Sequence, residues 1–413
     1  MRQAEPQRRR TRLSWWLSLA GLAVGGGVGL SLMQSDLHGL AWGRVAPRTV
    51  DLSTIPFHDP AGSDALDVPA ADHPEDLLVR VFELLDRQEL DDALAVSRRL
   101  VDAHPDFALA QFVHAQLDAL RAPVPASDGS LPIGEVSVPG GGATDPASAD
   151  PSLRSVQDLL DEARLRLAAH RMPPPADTVP SALIEIAPRT RHVLAIDTSE
   201  GRLHVFENGE RGLRRVDDMY VTVGRRGVGK TEEGDQKTPL GVYHTGILRS
   251  YQPADPRLGT HGYSLNFPNA LDRLSGRGGS AILLHGVPPQ TYSRAPQASD
   301  GCLSLSNQDL QRLVARGLAP DTPVVIAQRL DWRTPAAITR PARMDAAWRQ
   351  WLAESPAMAR GQRIEDVNML AWQDQGVVVV SFSAIDGARR QRLRQYWGER
   401  DGAWQVLAEG EVR

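Results

Sequence analysis

The only cysteine of this chain, Cys302, and one of its eleven histidines, His285, have the types and surroundings that acyl-transfer chemistry needs. His285 follows an apolar run at 281–284 and precedes a glycine, and Cys302 follows Gly301, 17 positions after the histidine. A thiolate is a strong nucleophile, and a histidine within hydrogen-bonding reach can accept the thiol proton. The backbone N–H groups of Gly301 and Cys302 can then stabilise the oxyanion of an attacked carbonyl.

Taken alone, a single cysteine is more often a small buried apolar residue than a nucleophile. It also cannot form an internal disulfide, so the fold is not cross-linked in that way. The histidine at a strand end and the Ser-Asp-Gly turn before Cys302 favour the nucleophile interpretation.

Three sequence blocks, in this order, resemble the L,D-transpeptidase (YkuD) catalytic domain. Residues 234–241 read GDQKTPLG, similar to the family segment G-D-x-x-T-P-x-G. His285 and Gly286 are similar to its HG pair, and residues 299–302 read SDGC, similar to its S-x-G-C signature. The blocks and the strands around them cover about 140 residues.

Two positions depart from the pattern of many family members. Asp300 stands where a histidine is common, and Ser304 stands where an arginine or asparagine is common. Together with the residues LSN at 305–307, these differences resemble the subgroup of helical-cell-shape L,D-carboxypeptidases, which also carry a C-terminal NTF2-like domain.

The resemblance implies a mechanism on peptidoglycan stem tetrapeptides. Cys302 would attack the carbonyl of the L-centre of a diamino acid and expel D-alanine through a thioester acyl-enzyme. His285 would be the general base, with its imidazole oriented by the carbonyl of Gly286. Gly301 and Cys302 would supply the amides for the oxyanion. Water as acceptor gives a carboxypeptidase and an amine from a neighbouring stem gives a 3–3 cross-link, and both outcomes stay open.

Four residues near the cysteine are candidate substrate-binding residues: Arg294, Tyr292, Ser299 and Asp300. Arginine offers a two-pronged fork to a carboxylate, so Arg294 could bind a substrate carboxylate; equally, it could form a structural ion pair with Asp300. The alternative for Ser299 is a backbone contact within the turn. Thr238 is expected to shape a loop that lines the cleft.

Composition and motifs exclude several other classes of function. The net charge of −5 lacks the basic stripe of a nucleic-acid-binding protein, so no nucleic acid is expected as a partner. The glycine-rich segment 224–229 lacks the Walker spacing and no βα unit follows it, so a phosphate loop is rejected. No metal-ligand cluster is visible, and neither a metal nor another cofactor is expected.

The N-terminus predicts export to the cell envelope. Five arginines in residues 1–12 precede an uncharged run of 21 residues, 13–33, which is long enough to cross a bilayer as a helix. Positive charge on its near side places residues 1–12 in the cytoplasm and the remainder in the periplasm. An uncleaved inner-membrane anchor is favoured over a removed signal peptide because the run is long and no clean cleavage site follows it.

The predicted fold is multidomain: an anchor, an α-helical region similar to tetratricopeptide repeats, a β-rich sandwich and a C-terminal α+β unit. The predicted boundaries are a tether at 34–73, the helical region at 74–121, a flexible linker at 122–151, a helix and proline-rich connector at 152–181, the catalytic domain at 182–330 and the NTF2-like domain at 335–413.

The helical region shows about one and a half repeats, fewer than the three that such arrays usually need. It is therefore either a small module that binds an envelope protein or a helical hairpin packed elsewhere on the chain. In the C-terminal unit, Trp348, Trp351 and Trp404 are expected in the core rather than around a ligand.

Two other classes compete with the enzyme. The altered residues Asp300 and Ser304 keep open a catalytically degenerate scaffold that recruits partners through its helical and NTF2-like modules. A papain-like protease is disfavoured because the surroundings are strand-rich and the histidine precedes the cysteine.

Overall fold

The computed structural model describes residues 73–121, 151–251, 255–355 and 360–412. The predicted anchor at 13–33 lies outside these ranges, as do nearly all of the tether and the linker. Among the helices within these ranges, none has the length and apolar composition that crossing a bilayer requires.

Four helices form the N-terminal part of the described chain: α1 (Pro74–Asp86), α2 (Leu90–Ala103), α3 (Ala108–Arg121) and α4 (Pro151–Arg171). Apolar residues three and four positions apart, such as Leu78 and Val81 in α1, place one stripe of each helix in a shared core. Pro74 starts α1, where proline costs no hydrogen bond. The predicted helical region is confirmed.

Thirteen strands and two short helices follow. The strands are β1 (Val179–Pro180), β2 (Leu183–Glu185), β3 (His192–Asp197), β4 (Arg202–Gly209), β5 (Gly212–Tyr220), β6 (Val223–Gly224), β7 (Gly241–Ser250), β8 (His261–Leu265), β9 (Leu283–His285), β10 (Gln297–Ser299), β11 (Leu303–Ser304), β12 (Pro323–Ala327) and β13 (Trp332–Arg333). The helices are α5 (Ala270–Leu274) and α6 (Asn307–Ala315).

Eight of these strands form one mixed sheet in the order β11-β9-β8-β7-β12-β3-β4-β5. Side chains alternate between its two faces, as the pleat requires. On β3, Leu194 and Ile196 enter one core, which α6 also covers, whereas Val193 and Ala195 enter a second core on the opposite face. The β-rich middle region is therefore confirmed, with both faces of its sheet buried.

The C-terminal part contains α7 (Ala342–Glu354) and four antiparallel strands, β14 (Arg363–Trp372), β15 (Val377–Asp386), β16 (Arg389–Arg400) and β17 (Ala403–Glu411). Its sheet has five strands, because β2 pairs with the edge of β14. The sequence interpretation placed β2 with the catalytic domain. A three-residue strand has too few side chains to indicate its partner, and here the partner lies more than 180 residues away.

The C-terminal sheet packs on the second core of the eight-stranded sheet, so the two units share apolar residues such as Val325 and Leu370. Its other face packs against α7. Trp348 is 2% exposed and stacks on Trp351 with ring centroids 5.1 Å apart. Trp404 packs at the margin of the same cluster, so all three tryptophans contribute to the core.

Candidate active site

Two neighbouring parallel strands bring Cys302 and His285 to the same part of the sheet. β11 pairs with β9, with Leu303 opposite Leu284 and Ser304 opposite His285. Cys302 therefore lies directly before β11, beside the strand β9 that ends at His285. β11 is the outermost strand of the sheet, so the turn before it lies at the sheet edge.

The His285 imidazole is held by the backbone of the next residue. Its Nδ1 lies 2.6 Å from the carbonyl oxygen of Gly286. A carbonyl only accepts hydrogen bonds, so the neutral ring carries its proton on Nδ1 and leaves Nε2 as the acceptor. Nε2 lies 3.4 Å from the hydroxyl oxygen of Ser304. This is the orientation by a backbone carbonyl that the family resemblance implies.

Burial keeps the histidine neutral. It lowers the pKa of His285 to about 4, although the Gly286 carbonyl and the nearby carboxylate of Asp255 act in the opposite direction. Burial also raises the pKa of the Cys302 thiol to about 11, against a hydrogen bond from the backbone of Leu283. At neutral pH the pair is therefore a thiol and a neutral imidazole rather than a thiolate–imidazolium ion pair.

We expect the alkylation of Cys302 to reveal this state. Only the thiolate reacts with iodoacetamide, so the rate should rise about tenfold per pH unit from pH 6 to pH 10. A pKa of about 4 for His285 places no inflection in this range. Mass spectrometry of samples quenched at each pH measures the rate. A plateau from pH 6 upward would instead indicate a preformed ion pair.

The turn before Cys302 is fixed by the side chain of Ser299. Its hydroxyl donates to the carbonyl oxygen of Cys302 at 2.6 Å and accepts from the N–H of Gly301 at 3.1 Å. The Gly301 amide, which the resemblance assigned to the oxyanion, is therefore already bonded to Ser299. Within the described ranges the N–H of Cys302 has no hydrogen-bond acceptor, which leaves it available to an oxyanion.

Gly301 needs to be a glycine for two reasons. Its φ of +122° lies in a region that residues with a side chain rarely adopt. A Cβ at this position would also stand 2.8 Å from the carbonyl oxygen of Lys237. The segment 234–241 therefore runs directly over the turn that presents the cysteine.

Comparison with known proteins accords with this geometry. The family model described as the L,D-transpeptidase catalytic domain, YkuD, matches residues 191–326. These residues form a YkuD-type L,D-transpeptidase catalytic domain. A search of curated proteins finds no match.

Solved structures similar to this chain include three of interest. Bd1075 from Bdellovibrio bacteriovorus is 17% identical with a TM-score of 0.45, covering 57% of this chain and 98% of its own. The helical cell shape determining protein Pgp2 from Campylobacter jejuni is 18% identical with a TM-score of 0.41, over 55% and 96%. An L,D-transpeptidase from Mycobacterium smegmatis is 14% identical with a TM-score of 0.22, over 33% and 58%.

Asp300 lies at the surface of the L,D-transpeptidase domain and its partners differ from the predicted one. Its carboxylate pairs with Arg225 at 2.9 Å and accepts from the side chain of Gln236 at 3.3 Å. The alternative in which Arg294 pairs with Asp300 is therefore wrong, because Arg294 is bonded elsewhere.

Arg294 and Tyr292 are 6% and 3% exposed, respectively, and lie against the helical region. Arg294 donates to the carbonyl oxygens of Tyr292 at 2.7 Å and Tyr220 at 3.2 Å. The Tyr292 ring packs on Phe107, with centroids 4.5 Å apart. Both side chains are therefore almost wholly buried in contacts within the chain, and their role in substrate binding stays a prediction.

Two residues near the pair were given no role by the sequence. Asn307 donates to the carbonyl of Val287 at 3.0 Å and accepts from its N–H at 3.1 Å, which holds the chain just after Gly286. It was visible only as the last letter of the LSN motif. Tyr251 is 1% exposed, and its hydroxyl has no hydrogen-bond partner in the described part of the chain. Burial raises the pKa of Tyr251 to about 12, and the nearby Cys302 acts in the same direction.

Among the described residues, no group of three or more His, Cys, Asp or Glu side chains is placed to hold a metal ion.

Proposed function

We propose that the chain is a peptidoglycan L,D-acyltransferase that acts on stem tetrapeptides through a thioester on Cys302. The observation that supports this best is the hydrogen bond from His285 Nδ1 to the Gly286 carbonyl. It leaves Nε2 as the acceptor nitrogen, in contact with the Ser304 hydroxyl and next to the strand that begins after Cys302, within an L,D-transpeptidase domain.

In the proposed reaction the thiol proton passes to Nε2 of His285 as the sulfur attacks the carbonyl of the diamino acid L-centre. The N–H of Cys302 stabilises the oxyanion. Collapse of this intermediate breaks the peptide bond, and His285 returns its proton to the departing amine of D-alanine. Water or an amine then attacks the thioester, and the thiol is restored.

Defined muropeptides test the proposal. Purified protein incubated with a tetrapeptide should release D-alanine and leave a tripeptide when water is the only acceptor. Adding a second stem with a free amine distinguishes hydrolysis from 3–3 cross-linking. The matched control is the same protein alkylated with iodoacetamide, because the chain has a single cysteine. Intact tetrapeptide after incubation with unmodified protein would favour the degenerate scaffold.

The same proposal extends to location and organisation. Residues 13–33 anchor the protein in the inner membrane, the described part lies in the periplasm, and the C-terminal α+β unit is an NTF2-like domain. An envelope protein partner would bind the helical region on the faces that do not pack on the catalytic domain. Fractionation of cells expressing the full chain tests the first point, because release in soluble form would contradict an uncleaved anchor.

A further inference from the structure

The segment 234–241 contacts the catalytic turn through one hydroxyl group. Thr238 is fully buried, and its Oγ1 donates to the carbonyl oxygen of Gly301 at 2.9 Å. The same Oγ1 accepts from the N–H of Gly224 at 2.9 Å. A hydroxyl group has one proton. Because the Gly224 N–H donates to the Thr238 oxygen, the hydroxyl proton is the one that bonds the Gly301 carbonyl.

The carbonyl that Thr238 contacts and the N–H of Cys302 belong to the same peptide group, so the contact also fixes the direction of that N–H. In a trans peptide the C=O and N–H groups are coplanar and point in opposite directions. Fixing the Gly301 carbonyl on Thr238 therefore directs the Cys302 N–H away from the segment 234–241. That N–H has no acceptor in the part of the chain that the structure describes.

The backbone of Thr238 is itself held on both sides. Its N–H donates to the carbonyl of Gly227 at 2.9 Å and its carbonyl accepts from Gly229 at 2.8 Å. Asp235 closes the loop before it, accepting from Lys230 Nζ at 2.9 Å and from the backbone of Lys237 at 3.1 Å. These contacts lower the pKa of Asp235 to about 2, so its carboxylate stays charged at neutral pH.

We propose that Thr238 is a positioning residue that orients the backbone N–H of Cys302 as the oxyanion donor, and that the segment 234–241 is the support for that hydroxyl. The proposal deepens the proposed function, since it assigns the control of the oxyanion amide to a side chain more than 60 residues from the nucleophile. Thr238 affects the acyl-transfer step without touching the substrate.

Two reactions of the same thiol separate this role from a general structural one. p-Nitrophenyl acetate acylates Cys302 through an oxyanion, whereas iodoacetamide alkylates it at a saturated carbon and forms none. Thr238→Val keeps the shape of the side chain and removes the hydroxyl, and Thr238→Ser keeps the hydroxyl. The measured quantity is the ratio of the acylation rate to the alkylation rate for each protein.

We expect Thr238→Val to lower this ratio on the order of 10²-fold, as for the loss of one oxyanion donor, and Thr238→Ser to stay near the original protein. Thr238→Ala provides the same comparison if the valine variant does not fold. An unchanged ratio in the variants without the hydroxyl would overturn the proposal. Because p-nitrophenyl acetate is not a peptidoglycan fragment, the result is independent of whether tetrapeptides are the substrate.

Discussion

Replacing His285 by glutamine should lower the rate of tetrapeptide turnover by about 10²–10⁴-fold, the usual contribution of a positioned general base. With a thiol pKa of about 11, roughly one molecule in 10⁴ carries a thiolate at pH 7, so the reaction depends on a base that removes the proton during attack. Glutamine can form hydrogen bonds at this position but cannot take up the proton.

The pH dependence makes this prediction specific. In the original protein kcat/KM should rise as His285 loses its proton near pH 4 and stay level to about pH 9. In His285→Gln the rate should follow the thiolate and rise about tenfold per pH unit toward pH 11. His170→Gln is the control, since that side chain is 48% exposed on α4. A glutamine variant that keeps the level profile would rule out His285 as the base.

The neighbouring positions of Cys302 and His285 could be predicted from the sequence because the pattern around them is local. An apolar strand, a histidine, a glycine and a turn before the cysteine lie within a short stretch. The helical stripes and the Val-rich strands were predictable for the same reason, since their apolar spacing follows the helix or the pleat. In contrast, β8 was missed because its sequence HGYSL has little of the apolar alternation that indicates a strand.

The positions of polar side chains depended on distant residues and could not be predicted. Arg294 was predicted to bind the substrate because it lies between His285 and Cys302 in the sequence. Its backbone N–H instead donates to Glu162 on α4, 132 positions earlier, and its buried side chain donates to the carbonyl oxygens of Tyr292 and Tyr220. The hydrogen bond of the Gly301 amide could not be predicted for a similar reason, because nothing in the motif shows that Ser299 accepts from it; its role at the oxyanion stays a prediction.

The second large effect that we expect is on stability, at the contact between the helical region and the catalytic domain. Arg166 on α4 is fully buried and donates to Glu75 on α1 at 2.7 Å and to Glu162 at 3.0 Å. Its guanidinium lies 4.1 Å from the centroid of the Tyr220 ring. Glu75 also pairs with Arg202 on β4, so the network joins two helices to the sheet.

Arg166→Met should destabilise the protein by about 3–5 kcal/mol at pH 7, because the buried Glu162 loses its side-chain partner and Glu75 keeps only Arg202. The control is Arg164→Met, two positions away, whose exposed pair with Asp161 at 2.6 Å should contribute less than about 1 kcal/mol. Urea denaturation followed by circular dichroism measures the free energy of unfolding of the helices. Equal losses in the two variants would show that burial of the network contributes nothing.

The loss in Arg166→Met should become smaller on acidification. In the original protein Arg202 and Arg166 hold the pKa of Glu75 below its ordinary value, despite burial. Glu75 therefore stabilises the fold at pH values above its ordinary pKa, and this stabilisation is lost as the pH falls through the lowered pKa. Without Arg166 the folded-state pKa of Glu162, which burial already raises, rises further. The pKa of Glu75 also rises from its lowered value, although Arg202 remains as a partner. The variant therefore gains stability relative to the original protein as these carboxylates take up protons.

Because Glu162 also binds the backbone of Arg294, between His285 and Cys302, the same variant should lower tetrapeptide turnover while it remains folded. That result would make the helical region a structural part of the catalytic unit rather than an independent module.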